Sequence, residues 1–174
     1  MYDICYIFSM EQERLKQLLD YDPWTGNFKW REHRANVKAG QLAGHLTKMG
    51  YRTIRIDKKM YLAHRLAWLY THGTWPTVHI DHVNGTPGDD RIINLRLATH
   101  SENMRNRKDH SNNSSGFKGV SWHKGAKKWA AGIRIHGRRK HLGLFDTAEA
   151  AHLAYCEAAK ALHGSFSRVS PSCI

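Results

Sequence analysis

The chain has 174 residues, 41% of them hydrophobic, which allows one medium domain or two small ones. Lysine and arginine number 27 against 15 acidic residues, so the formal net charge at pH 7 is +12. An excess of this size favours nucleic acid over a membrane surface as partner, since binding to phosphates releases condensed counterions. No apolar stretch has the length of a transmembrane helix, so we expect a soluble, cytoplasmic protein without a membrane partner.

The first part of the chain alternates between helical and extended patterns. Four segments have the periodicity of regular elements: a helix over 11–19, strands over 27–30 and 51–56, and a helix over 64–71. Pro23 and Gly26 mark a turn after the first helix, and Gly73 ends the second. Asp57, Lys58 and Lys59 are predicted to turn the chain into a further strand through Tyr61 and Leu62.

Residues 78–107 contain the candidate site. A strand runs into the turn Asn84-Gly85, and because Asp81 and His82 are adjacent in it, their side chains point to opposite faces. A second short strand is predicted to begin at Asn94. Thr99 and Glu102 then form a capping box, which puts Asn103 on the first full turn of a helix. This frame of strand, loop, strand and helix could bring Asp81 and Asn103 together.

The sequence around the other histidines and arginines of this part indicates their expected roles. His64 starts an apolar helix and His79 alternates into the strand, so both are interpreted as scaffold, with a direct contact to the scissile phosphate as the alternative. His100 is a rival to Asn103, but it differs in direction by most of a helical turn. Four arginines are predicted to bind phosphate, since few acidic partners are nearby. These are Arg65, Arg96, Arg105 and Arg107.

The last third of the chain has a different pattern. Residues 108–115 contain no apolar side chain and are interpreted as a linker. Three short strands follow, the last over 141–145 after a basic hairpin turn, and a helix runs over about 147–162. In the middle strand Trp129, Ala131, Ile133 and Ile135 are predicted to face this helix, which leaves Ala130, Gly132, Arg134 and His136 on the open face. The sequence therefore predicts an α+β protein with domains over 1–107 and 116–166, and a tail over 167–174.

Several motifs resemble a known nuclease family. The segments IDHVNG, NLRLAT and SENMRNR are similar to the H-N-H nucleases of phages and mobile introns, which are built on a ββα-metal finger. Upstream, DYDPWTGNFKW and YLAHRLAWLYTHG resemble phage members, so the similarity covers nearly all of residues 11–107.

The resemblance implies a role for each motif residue. His82 is the general base that takes a proton from water, and Asn94 holds the loop of the finger and positions that base. Asp81 and Asn103 are the protein ligands of one divalent metal ion. Asn103 occupies the third position of the H-N-H motif, where the name of the motif has a histidine. An amide oxygen together with a carboxylate favours Mg²⁺ or Mn²⁺ over zinc.

A second resemblance covers residues 115–166. The segments FKGVSWHKGAKKWAAGIRI and HLGLFDTAEAAHLAY are similar to the plant ethylene-response-factor (Apetala-type) DNA-binding domain. It implies a three-stranded antiparallel sheet packed on one helix. It also implies DNA contacts from Lys118, Ser121, His123, Arg134, Arg139 and His141. Several of these differ from the plant pattern, so the plant domain's sequence preference is not carried over.

Together the two resemblances predict a phage-encoded homing endonuclease that hydrolyses phosphodiester bonds of double-stranded DNA in the bacterial host cell. One alternative is a DNA-binding regulator with an inactive nuclease domain, and another is an RNA-directed binder. The sequence identifies no dimer interface, and we favour a monomer. The target sequence, and the choice between nicking and double-strand cleavage, stay open.

Overall fold

The computed structural model of the protein describes residues 10–34, 36–106, 113, 115–135 and 137–164. The chain divides into two compact units, residues 1–99 and residues 100–174. Arg107, His136, the predicted tail and the predicted linker apart from Asn113 and Ser115 lie outside the described residues. None of the described helices is both long and apolar enough to cross a membrane.

The first unit contains helices and short antiparallel strands. Its elements in chain order are α1 (Gln12–Leu18), β1 (Leu19–Asp22), β2 (Asn27–Trp30), β3 (His45–Leu46), β4 (Arg52–Ile56), β5 (Lys59–Leu62), α2 (Ala63–His72), β6 (His79–His82), a 3₁₀ helix (Ile92–Asn94) and β7 (Leu95–Ala98). β1 pairs with β2, β4 lies between β3 and β5, and β6 pairs with β7. β1 and β3, which contain four and two residues, were not predicted from the sequence.

One apolar cluster holds this unit together. Leu15 of α1, Phe28 of β2, Ile54 of β4 and Leu66 of α2 are fully buried in it. The cluster continues through Ile80 of β6 to Leu95 of β7. Because side chains alternate along a strand, burying Ile80 also determines the directions of the residues that follow it.

Turn chemistry sets the ends of several elements. Asp57 and Lys58 connect β4 to β5 with φ angles of 46° and 66°. Two positive φ angles give the two-residue hairpin turn whose twist matches the flanking strands, so the predicted turn is confirmed. Gly73, with φ at 77°, ends α2 in the left-handed conformation, as its position predicted.

The second unit begins with α3 (His100–Asn106). A three-stranded sheet follows, β8 (Val120–His123), β9 (Lys128–Ile135) and β10 (Arg138–Phe145), and then α4 (Ala148–His163). β9 is the central strand, and both pairings are antiparallel. Ala131 and Ile133 are buried in apolar clusters that also contain residues of α4, so the predicted inner face of β9 is confirmed. The third strand begins at Arg138, so the basic residues 138–140 belong to β10 rather than to a turn.

Local signals define α4 and its close packing on the sheet. The Thr147 side chain accepts a hydrogen bond from the backbone N–H of Ala150 and caps the helix. Gly119 has a φ of 76°, and a β-carbon there would lie 2.1 Å from the ring of Tyr155 on α4. Both units are mixtures of helices and antiparallel sheets, which confirms the predicted α+β class.

Candidate functional site

The β6–β7 pair holds two adjacent polar residues that are both buried. Asp81 pairs with Arg96 and His82 with Leu95 in the antiparallel register. Asp81 is 4% exposed and His82 is 6% exposed. Because consecutive side chains of a strand point to opposite faces, the two residues have different surroundings.

Asp81 forms an ion pair within the strand pair. The Nε and Nη2 atoms of Arg96 donate to Oδ2 of Asp81 at 2.8 and 2.6 Å. The Arg96 side chain is only 18% exposed, so solvent screens this pair little. The expectation that the arginines lack acidic partners is therefore wrong for Arg96, because strand register places a carboxylate directly opposite it.

His82 contacts a different carboxylate, that of Asp90. His82 Nε2 lies 3.1 Å from Asp90 Oδ1, and Asp90 is 1% exposed. With Asp90 ionised, Nε2 of His82 is the donor in this pair, because a carboxylate only accepts hydrogen bonds. Asp90, which was not predicted from the sequence, therefore belongs to the candidate site.

His64 lies against the same pair. Its ring is perpendicular to that of His82, with the centroids 5.1 Å apart, and its Nδ1 is 4.0 Å from Asp90 Oδ1. The Tyr51 ring contacts both histidines, with centroid distances of 5.6 and 6.0 Å. Although His64 starts an apolar helix as predicted, its side chain belongs to this polar cluster.

Burial controls the protonation of the cluster. Removal from water, together with the smaller effects of the nearby His82 and Arg65, lowers the pKa of His64 to about 3. Burial raises the pKa of Asp90, while the hydrogen bond from His82 acts in the opposite direction. His64 is therefore a neutral imidazole at physiological pH.

Asn94 holds the loop between β6 and β7. Its Oδ1 accepts from the backbone N–H of Asn84 at 2.9 Å, and its Nδ2 donates to the carbonyl oxygen of Asp89 at 2.8 Å. Asp89 also accepts two hydrogen bonds from Arg91, at 2.7 and 2.6 Å. These contacts anchor both ends of the loop segment that leads to Asp90.

The β1–β2 hairpin supports Asp90 from another side. The hydroxyl of Tyr21 donates to the carbonyl oxygen of Asp90 at 2.8 Å. Gly26 has a φ of 74°, and a β-carbon there would lie 2.5 Å from the backbone nitrogen of Arg91. The predicted turn thus needs glycine for its backbone angle and for this close approach.

The remaining predicted residues of the nuclease motif lie elsewhere in the chain. Asn103 is a half-buried residue of α3, in the second unit, and His100 is an exposed residue at the start of that helix. Arg105 also belongs to α3. Convergence of Asp81 and Asn103 stays a prediction. Arg65 is half-buried, with its guanidinium carbon 5.8 Å from the centre of the Trp75 ring.

Most residues expected to contact DNA in the second unit share the open face of its sheet. A cavity of about 400 Å³ lies at this face. It is lined by Ser121, Trp122, His123, Ala130, Arg139, His141 and Leu144. Arg139 Nη2 donates to Ser121 Oγ at 3.3 Å, and Arg134 is its exposed cross-strand neighbour. Lys118 precedes the sheet and is half-buried.

Two features orient the basic side chains of this face. The guanidinium of Arg139 lies over Gly132, where a β-carbon would be 2.6 Å from Nε. His123 Nδ1 accepts from the backbone N–H of Ala126 at 3.0 Å, so its Nε2 carries the proton in the neutral ring. Both side chains therefore present N–H donors.

Comparison with known proteins agrees with the motifs. Residues 61–105 match the family described as HNH endonuclease, and residues 115–165 match the AP2 domain. A phage protein, Protein 3.8 of Escherichia phage T7, is 35% identical over 115 residues. That similarity covers 64% of this chain and 94% of the phage protein.

The chain belongs to the HNH endonuclease family. This HNH protein also carries an AP2-type DNA-binding domain, and both resemblances predicted from the sequence are confirmed. No solved structure shows a significant match to the chain. The matched nuclease segment begins at Tyr61 in β5 and includes His64, Asp81, His82, Asp90, Asn94 and Asn103.

Proposed function

We propose that this HNH protein is a metal-dependent endonuclease that hydrolyses phosphodiester bonds of double-stranded DNA, with His82 as the general base. The observation that carries the proposal is the hydrogen bond between His82 and Asp90. With its proton held on Nε2 by the buried carboxylate, the neutral ring has its lone pair on Nδ1. That nitrogen can take a proton from the water molecule that attacks phosphorus.

Asp81 and Asn103 are the proposed protein ligands of one Mg²⁺ or Mn²⁺ ion. A carboxylate and an amide supply oxygen donors, which suit a hard ion. Asp81 would share its carboxylate between the ion and Arg96, which already binds Oδ2. When bound, the ion supplies stabilisation for the charge that develops on the phosphate and on the leaving 3′-oxygen.

The protein's own groups prepare the reaction. Asn94 and the β1–β2 hairpin hold the segment that leads to Asp90, and Asp90 in turn orients the imidazole of His82. The neutral ring of His64 packs edge-on against His82, so no fixed positive charge from it opposes proton uptake by the base. Arg65, Arg96, Arg105 and Arg107 are proposed to bind the phosphates on either side of the scissile bond.

The AP2-type domain is proposed to provide most of the DNA affinity and the choice of site. The phage relative supports a phage-encoded protein acting in a host cell, and free-standing homing is the proposed biological role. Lys118, Ser121, His123, Arg134, Arg139 and His141 would contact DNA. Phosphate contacts supply affinity and register, whereas contacts to base edges supply specificity.

One observation favours the alternative of a DNA-binding regulator without nuclease activity. Arg96 neutralises the carboxylate of Asp81, which is the first proposed metal ligand. If this ion pair were retained on DNA, Asp81 could not hold a catalytic ion. The two candidates differ in one measurable property, the cleavage of DNA in the presence of a divalent metal.

We expect the purified chain to convert supercoiled plasmid to nicked or linear DNA when Mg²⁺ or Mn²⁺ is present. The same reaction in EDTA is the control and should leave the plasmid supercoiled, because the oxygen ligands then have no ion to hold. Plasmids carrying a panel of phage sequences provide the substrates. A plasmid that stays supercoiled across both metal titrations and the whole panel would favour the regulator.

Arg139→Ala is expected to weaken binding to preferred DNA by about tenfold to a hundredfold, the range expected for loss of one well-oriented arginine contact to a base. Gly132 lets the guanidinium lie across the open face, and Ser121 orients it. The measurement is the dissociation constant for DNA selected from a random pool. Arg138→Ala, the neighbouring exposed arginine of β10, is the matched control. Equal losses in the two variants would argue against a specific role for Arg139.

A further inference from the structure

The cluster of His64, His82 and Asp90 has the composition of a metal site. One ligand atom from each residue can be chosen so that all lie within 4.8 Å of one another. The Asp90 Oδ1 atom is 3.1 Å from His82 Nε2 and 4.0 Å from His64 Nδ1. Ligand atoms on a tetrahedral zinc ion are about 3.3 Å apart, given metal–ligand bonds of about 2.0–2.1 Å. Small side-chain adjustments would therefore let all three bind one ion.

Two atoms of this cluster lack hydrogen-bond partners among the described residues. His64 Nδ1 and Asp90 Oδ2 are both buried and unsatisfied. His64 is 6% exposed and Asp90 is 1% exposed. Because an unsatisfied buried polar atom destabilises a fold, an ion that binds His64 Nδ1 would remove that cost for this atom.

The donor set selects the class of ion. Two imidazoles and one carboxylate suit zinc and neighbouring transition metals, whereas Mg²⁺ is bound by oxygen ligands and water. The positive charges of Arg52 and Arg65 act on this cluster and oppose a cation. We therefore expect micromolar affinity rather than that of a permanent structural zinc.

This cluster differs from the oxygen-rich site proposed at Asp81. Asp81 and His82 are consecutive residues of β6, so their side chains leave the strand in opposite directions. Asp81 contacts Arg96, whereas His82 contacts Asp90 and His64. The two sites share the strand but no ligand.

We propose that His64, His82 and Asp90 form an inhibitory site for a zinc-class ion. The inhibition rests on the proposed function, in which His82 takes a proton through Nδ1. When Nε2 binds the ion it loses its proton, and the neutral ring takes up one proton at Nδ1 instead. The proton count of the ring is unchanged, but Nδ1 no longer has a lone pair for the attacking water.

Direct metal binding tests the site without any cleavage assay. The full-length chain is stripped with EDTA and titrated with Co²⁺, followed by visible absorption, and with Zn²⁺, followed by calorimetry. We expect the wild type to bind one equivalent that His64→Gln lacks, with the absorption of four-coordinate Co²⁺. His33→Ala changes an exposed histidine outside the cluster and is the matched control.

The same stoichiometry and affinity in the wild type and in His64→Gln would overturn the site. Thermal melts establish that each variant is folded, and Asp90→Asn supplies a second variant if His64→Gln is not. An amide is a weaker ligand than a carboxylate, so Asp90→Asn should also lose the Co²⁺ absorption. Retention of that absorption in every folded cluster variant would contradict the assignment.

Cleavage in a fixed Mg²⁺ concentration then tests inhibition, with each protein normalised to its own rate without zinc. We expect micromolar Zn²⁺ to slow the wild type by at least about tenfold, since general-base catalysis is worth that much or more. The same Zn²⁺ concentration should slow cleavage by the His64→Gln variant far less. Cleavage by the wild type that Zn²⁺ does not slow would overturn the inhibition. Binding of Co²⁺ by a chain that never cuts DNA would overturn the proposed function and leave the metal site intact.

Discussion

Replacing His82 with alanine is expected to slow DNA cleavage by about a hundredfold to ten-thousandfold, the usual contribution of a general base. In the proposed mechanism Asp90 holds the proton of this imidazole on Nε2, and Nδ1 accepts the proton of the attacking water. Affinity for DNA should change little, because the side chain is 6% exposed. The measurement is single-turnover cleavage of plasmid in saturating Mg²⁺, beside the dissociation constant for the same DNA.

His79→Ala is the matched control for this prediction. His79 lies on the same strand but is exposed, so its removal tests the general effect of losing a histidine from β6. Circular dichroism shows whether each variant keeps the fold. If His82→Ala cuts within a few-fold of the wild type, His82 is not the base, and the hydrogen bond to Asp90 has only a structural role.

Replacing Asp81 with alanine is expected to have two separate effects. The first is loss of metal-dependent cleavage, because a proposed ligand of the ion is removed. The second is a loss of about 2 kcal/mol in the free energy of unfolding, below the usual cost of breaking a fully buried pair because Arg96 retains some solvent contact. Cleavage and urea denaturation measure the two effects independently.

A double variant separates these effects. Asp81→Ala combined with Arg96→Met removes both charges of the ion pair and leaves an apolar side chain of similar length. We expect the double variant to recover most of the lost stability but none of the cleavage, since an apolar replacement for an ion pair is often neutral. Recovery of cleavage together with stability would show that Asp81 acts through the fold and not as a metal ligand.

The positions of most helices and strands in the first unit were predicted from the sequence. The helix over 64–71 and the strands over 27–30 and 51–56 correspond to α2, β2 and β4 within one or two residues. In each of these segments the apolar residues recur with the period of a helix or of a strand, and this spacing specifies which face is buried. β1 follows α1 directly and its first residue was assigned to the predicted helix, whereas β3 has only two residues, too few to show alternation.

The ion pair between Asp81 and Arg96 is a contact that the apolar spacing within one strand does not predict. Asp81 and Arg96 are both within the predicted strands, but the pairing that places them opposite each other depends on the register of β6 and β7. An irregular loop and a 3₁₀ helix separate these strands, so no short turn specifies that register. The ion pair of Arg96 was therefore not predicted from the sequence, and phosphate binding by Arg96 stays a prediction.

The sequence by itself determined the α+β class, the nuclease motif, the AP2-type domain and the adjacency of Asp81 and His82. These properties depend on residue types at short spacings, which local patterns record. The tertiary structure alone decided that Nε2 of His82 lies at hydrogen-bond distance from the carboxylate of Asp90 and that His64 packs beside them. The three side chains come from β6, a loop and α2, and Asp90 lies 26 positions after His64. The burial of the common core brings them together, and a periodicity within one element does not encode contacts between elements.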